Sequence, residues 1–154
     1  MHDPNNLLEQ FNETQSLEVS ESEFSDSTTD IAWFLFQYKK AIERGNDIWA
    51  VRMLTNVMEH LTRVLLYKYY PERAQLGLKT LTQSLPKHIL NEVEAIFEQI
   101  TPRNHAIASS KIRQLLAKEY EWILSQVSNL SLVKALLKEM VRSQTIDYGS
   151  DYLF

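Results

Sequence analysis

Apolar residues recur three and four positions apart through most of the chain, in long stretches parted by short polar breaks. That is the period of helices packed on one face. The first stretch, Ile31-Ala32-Trp33-Phe34-Leu35-Phe36, follows Ser25-Asp26-Ser27-Thr28-Thr29-Asp30, a cluster of residues suited to cap a helix N-terminus. It predicts a helix running to about Arg44, stopped by Gly45. Asn46 or Asp47 then caps a longer helix, in which Val51, Leu54, Met58, Leu61 and Leu65 keep helical spacing as far as Tyr69-Tyr70-Pro71. A Gly-Asn turn between two long amphipathic helices makes them antiparallel neighbours, the start of an up-and-down bundle.

Residues 72–85 carry no clear period, and a short helix around Arg73 to Leu81 is as compatible as a loop. Pro86 suits the first turn of a third long helix, with Ile89, Val93, Ile96, Phe97 and Ile100 as its stripe before Thr101-Pro102. Ile107, Ile112, Leu115, Leu116, Tyr120, Ile123 and Leu124 mark a fourth, from about Asn104 to Val127. Ser131 is placed to cap a fifth through about Arg142, with Leu132, Ala135, Leu136 and Met140 on one face. No strand pattern competes. The expected fold is all-α, an up-and-down bundle of about five helices over 28–144, behind an acidic, extended leader at 1–27 and before a tail at 145–154.

Composition refines this picture at three points. The length of 154 residues and 44% hydrophobic content suffice for one core. The absence of cysteine removes disulfides, thiolate metal sites and cysteine nucleophiles, and fits a reducing compartment such as the cytoplasm. The net charge of -4 is unevenly spread: residues 1–30 hold eight acidic residues and no Lys or Arg, so the rest carries sixteen basic against twelve acidic residues. That mild excess falls short of what a nucleic-acid-binding domain needs. The N-terminus lacks the basic and apolar regions of a secretory signal, and no run of apolar residues is long enough to span a bilayer, so no membrane role is expected.

Motifs for chemistry are missing. A helical ribonuclease of the HEPN type requires an Arg and a His four to six residues apart, whereas Arg52 to His60 is too long a spacing and Arg103 to His105 too short. The histidines His2, His60, His88 and His105 form no helical metal-binding pair, and Gly45, Gly77 and Gly149 stand in no phosphate-binding loop. What stands out is polar. Trp33, Gln37, Lys40 and Arg44 form one stripe of the first helix, and Arg52, Asn56, Glu59 and Arg63 form another on the second, opposite the apolar seam. Facing one groove, they would offer an aromatic platform, amides and guanidinium forks to a polar ring-bearing ligand or a phosphate. The plainer alternative is a solvated helix surface, with Trp33 and Trp49 as core aromatics.

The segment from Trp33 to Arg52, an aromatic-rich helix, an Arg44-Gly45 turn and a helix containing Trp49-Ala50, resembles the opening of the helical C-terminal domain of antibiotic-type (aminoglycoside and lincosamide) nucleotidyltransferases. Gly77-Leu78-Lys79 followed by Leu85-Pro86 is similar to a later segment of that domain, and His2-Asp3-Pro4-Asn5-Asn6-Leu7-Leu8 resembles the end of the catalytic domain before it. The resemblance spans roughly residues 1–125. It implies a substrate-binding half, with Trp33, Gln37, Lys40, Arg44, Arg52, Asn56 and Arg63 lining the wall for a polar small-molecule acceptor.

The nucleotide and magnesium of that family belong to a catalytic domain with a Gly-Ser motif and paired acidic ligands. Here the single Gly-Ser, Gly149-Ser150, lies in the tail with neither a following helix nor an acidic pair. The chain is therefore expected to be catalytically incomplete, to bind no cofactor by itself and to depend on a nucleotidyltransferase catalytic domain as partner. The competing expectation is a helical binding module, such as the non-catalytic member of a toxin–antitoxin-like pair, acting through a homodimer or a partner.

Overall fold

The computed structural model describes residues 17–127, 134, 135 and 137–142. All regular structure among them is helical: α1 (Glu21–Glu43), α2 (Asp47–Tyr69), a 3-10 segment (Pro71–Thr80), the short α3 (Leu81–Ser84), α4 (Lys87–Glu98) and α5 (His105–Gln126), with residues 134–135 and 137–142 helical as well. The expected cap at Ser131, the segment 1–16 and the tail 145–154 lie outside the described residues.

α1 begins about ten residues earlier than the apolar pattern suggests. Ser20 and Glu23 form a capping box, the Glu23 amide donating to Ser20 Oγ at 3.1 Å and the Ser20 amide to Glu23 Oε1 at 3.4 Å. Thr28 and Thr29, read as caps, turn their hydroxyls back onto the carbonyls of Phe24 (3.0 Å) and Ser25 (2.8 Å), so they sit inside the helix. At the other end Gly45 adopts φ 67°, and the amides of Gly45 and Asn46 donate to the carbonyls of Ile42 and Ala41, both at 2.9 Å. This double closure needs a left-handed residue, which glycine supplies without strain. Asn46 then caps α2, its Oδ1 accepting from the Trp49 amide at 3.0 Å.

α2 is the central helix, in contact with α1, the 3-10 segment, α3 and α5. Ala50, Leu54, Val57, Met58, Leu61 and Leu65 bury its inner face against Ile31, Leu35, Tyr38 and Ala41 of α1 and Ile112, Leu116 and Ile123 of α5. Two polar links hold α2 alongside α5. At one end His105 Nε2 meets Asp47 Oδ1 and His105 Nδ1 meets the Tyr38 hydroxyl, both at 2.8 Å. At the other, buried Glu119 accepts from Lys68 Nζ at 2.6 Å and from the Tyr69 hydroxyl at 3.0 Å. Because N-terminal residues meet N-terminal and C-terminal residues meet C-terminal, α2 and α5 run parallel. α1 and α4 run opposite to them, which is the up-and-down order.

Some apolar positions face outward. Phe97 and Ile107 belong to predicted apolar faces yet are exposed, and Trp33 (50%) and Trp49 (47%) are not core aromatics. Near the C-terminus the buried residues are Leu137 and Met140 while Ala135 is exposed, so that face is centred on Leu137 rather than on Ala135. Arg113 reaches it from α5, donating to the Met140 carbonyl at 2.9 Å. No helix among the described residues is long and apolar enough to cross a membrane.

Candidate functional site

The α1–α2 hairpin is open at the end away from its Gly45 turn, and there the chain builds a cleft of about 360 Å³. One wall is the first half of α1, with Glu23, Asp26, Ser27 and Asp30; His60 and Arg63 of α2 stand opposite; Val19 and Gln75 close the bottom. Val19 is buried, and Gln75 ties the chain before α1 to the 3-10 segment, its amide donating to the Leu17 carbonyl at 2.8 Å and its side chain to the Glu18 carbonyl at 3.0 Å. Beneath the cleft, Phe24 packs on Tyr67 (ring centroids 4.5 Å apart) and edge-on to Trp122 (5.7 Å), so α1, α2 and α5 converge on one aromatic cluster. The site therefore rests on rigid core contacts.

The aliphatic stem of Arg63 runs beside Gly77 (φ 55°), where an added Cβ would lie 3.9 Å from Arg63 Cγ, an ordinary van der Waals contact. His60 stacks on Phe34 (5.6 Å), and its Nδ1 is buried without a hydrogen-bond partner among the described residues, 3.7 Å from Asp30 Oδ2. Burial holds its pKa below 6.5 despite the raising influence of Asp30, so the ring is uncharged at neutral pH and can accept a proton or a hydroxyl hydrogen bond. Three carboxylates, one guanidinium, one neutral imidazole, a hydroxyl and an amide give the cleft a net negative and strongly hydrogen-bonding lining. Among the described residues, no group of three or more His, Asp or Glu side chains lies where it could hold a metal ion.

Of the seven residues singled out from the sequence, Arg63 lines this cleft. Trp33, Gln37, Lys40 and Arg44 continue the face of α1 towards the turn, away from it. Trp33 packs on Phe36 (5.9 Å), and Lys40 lies over the same ring (5.4 Å) and 3.5 Å from Glu43. Arg52 is exposed and Asn56 half-buried on α2, on the same stripe as His60 and Arg63 but nearer the turn. The acidic wall is absent from the sequence reading because Glu23, Asp26, Ser27 and Asp30 fall in what reads as leader and cap. The signal that would have found them is the spacing 23, 26, 30, which extends 33, 37, 40, 44 backwards without a break.

A second polar constellation, Asp47–His105–Tyr38, has the order of a proton relay, but the Tyr38 residue is 1% exposed and offers its hydroxyl to no solute. It clamps three helix ends. Comparison of the chain with family models, with curated proteins and with solved structures finds no match in any of the three.

Proposed function

We propose that this chain is an acceptor-binding helical domain of a nucleotidyltransferase-like protein, holding a polar small molecule in the cleft between α1 and α2 while a separate catalytic domain transfers the nucleotide. The observation that carries the reading is the cleft itself: a concave, charged site built on rigid helices, in a chain without a nucleotide-binding loop. The resemblance of residues 33–52 and 77–86 to such domains supports the same class. The acceptor site moves accordingly from the Trp33–Arg44 stripe to Glu23, Asp26, Ser27, Asp30, His60 and Arg63. Carboxylates and Gln75 suit the amines and hydroxyls of an amino sugar, Arg63 can orient a ring oxygen or hydroxyl, and neutral His60 can accept an acceptor hydroxyl's hydrogen bond. Magnesium and nucleotide would be held by the partner domain, and the cytoplasm, where nucleotides are available, is the compartment for such a reaction.

The test combines calorimetric titration of the chain with a panel of amino sugars and a nucleotide-release assay containing magnesium. Binding that Asp26→Asn and Arg63→Ala each weaken about tenfold, with no turnover by the chain alone, is the expected result. Turnover by the isolated chain, or binding indifferent to both substitutions, overturns the reading.

A further inference from the structure

The flank of α1 that borders the cleft carries Glu23, Asp26, Asp30, Trp33, Gln37, Lys40 and Arg44 at successive spacings of three and four, with Glu23, Asp26, Trp33 and Arg44 exposed and Asp30, Gln37 and Lys40 half-buried. It is acidic in its first half and cationic in its second, and half-exposed Trp33 lies between. Such a seam is self-complementary when a second copy runs antiparallel to it. With the twofold axis level with residue 35, Asp26 meets Arg44, Asp30 meets Lys40 and Trp33 meets Gln37, each pairing occurring twice. The reverse, parallel arrangement sets acid on acid and base on base. Within the chain these charges are weakly engaged: Lys40 has Glu43 at 3.5 Å on the exposed surface, Asp30 has His60 at 3.7 Å, and Asp26 and Arg44 make no side-chain hydrogen bond or ion pair among the described residues.

We infer that the chain forms an antiparallel, twofold-symmetric dimer through this face of α1, with charge setting the register and the Trp33 rings covering each other's flank near the axis. The inference goes beyond the acceptor reading and does not depend on it. Asp26 and Asp30 also stand on the rim of the cleft, so in the dimer Arg44 and Lys40 of the second copy lie along that rim. A single helix face is smaller than the roughly 800 Å² per partner of a standard stable interface, so the dimer is concentration-dependent and salt-sensitive.

Sedimentation equilibrium of the ligand-free chain, from low micromolar to millimolar concentration in low salt, reads the association directly. Expected are a monomer–dimer equilibrium, its loss in about 1 M NaCl, and a Kd at least about tenfold weaker for both Asp26→Lys/Asp30→Lys and Lys40→Asp/Arg44→Asp. Mixing the two reversed variants restores association as a heterodimer, because one then presents base and the other acid at all four charge-paired positions, 26, 30, 40 and 44. If the first variant fails to fold, the comparison of Lys40→Asp/Arg44→Asp with the unaltered chain decides. A chain that stays monomeric throughout, a dimer indifferent to both reversals, or a mixture of folded variants that does not pair overturns the inference.

Discussion

Glu119 shows how much of the fold can hang on one side chain. It is 5% exposed and accepts from both Lys68 and Tyr69, and that hydrogen bond is the main reason the Lys68 pKa is raised, partly offset by desolvation. Glu119→Gln keeps the volume but removes the charge that compensates a partly buried ammonium, so it should lower unfolding free energy by about 1–3 kcal/mol in urea denaturation. The range is set below that of a fully buried pair because Lys68 is 30% exposed. His60 works in the other direction. Its folded pKa lies below the unfolded value of 6.5, so on acidification the unfolded chain takes up the proton first. Its contribution is complete above pH 6.5 and is lost as pH falls from 6.5 through the lowered folded value. The unaltered protein should therefore lose stability more steeply than His60→Gln between about pH 7 and 5.5, with an imidazole titration midpoint by NMR below 6.5. A midpoint at or above 6.5 would show that Asp30 outweighs burial.

Elements were legible where an apolar stripe and a stop signal coincide. Leu54, Met58, Leu61 and Leu65 between Asn46 and Pro71 define α2 nearly to the residue, and Gly45 ends α1 by the closure glycine permits. The start of α1 was not legible, because Ser25 to Asp30 read as caps and Phe24 is the one apolar residue between Glu21 and Asp30. Tertiary contact decides there: Phe24 is buried against Tyr67 and Trp122, which lie about 40 and 100 residues away in sequence. The same gap hid the acidic wall of the cleft, and Gln75 joins it by donating from its backbone amide to the Leu17 carbonyl and from its side chain to the Glu18 carbonyl, bonds that no local pattern announces. If Ser20 and Glu23 hold the first turn in place, Ser20→Ala should destabilise the protein by about 1 kcal/mol and raise hydrogen exchange in residues 21–26 above that of the rest of α1. Equal protection along α1 in the variant would mean that Phe24 packing alone anchors the turn.

At the scale of the molecule, α2 and α5 are pinned at both ends, by Asp47–His105–Tyr38 near the turn and by Lys68–Glu119–Tyr69 beside the cleft. His105 and Glu119 are fourteen residues apart on one helix, about 21 Å along its axis, and share no hydrogen-bond partner among the described residues. The two clamps should act independently on stability and unequally on binding. Tyr38→Phe leaves His105 Nδ1 buried without its hydroxyl partner, a loss of about 1–2 kcal/mol. Combined with Glu119→Gln, the losses should add to within about 0.5 kcal/mol, since sites this far apart couple weakly in a cooperatively folded domain. Only the Glu119 substitution should weaken a ligand held in the cleft, because Glu119 secures the end of α2 that carries His60 and Arg63. Strong non-additivity in the double variant would mean that the ends of α2 move as one, and equal effects of both substitutions on binding would remove the reason for placing the site at the open end of the hairpin.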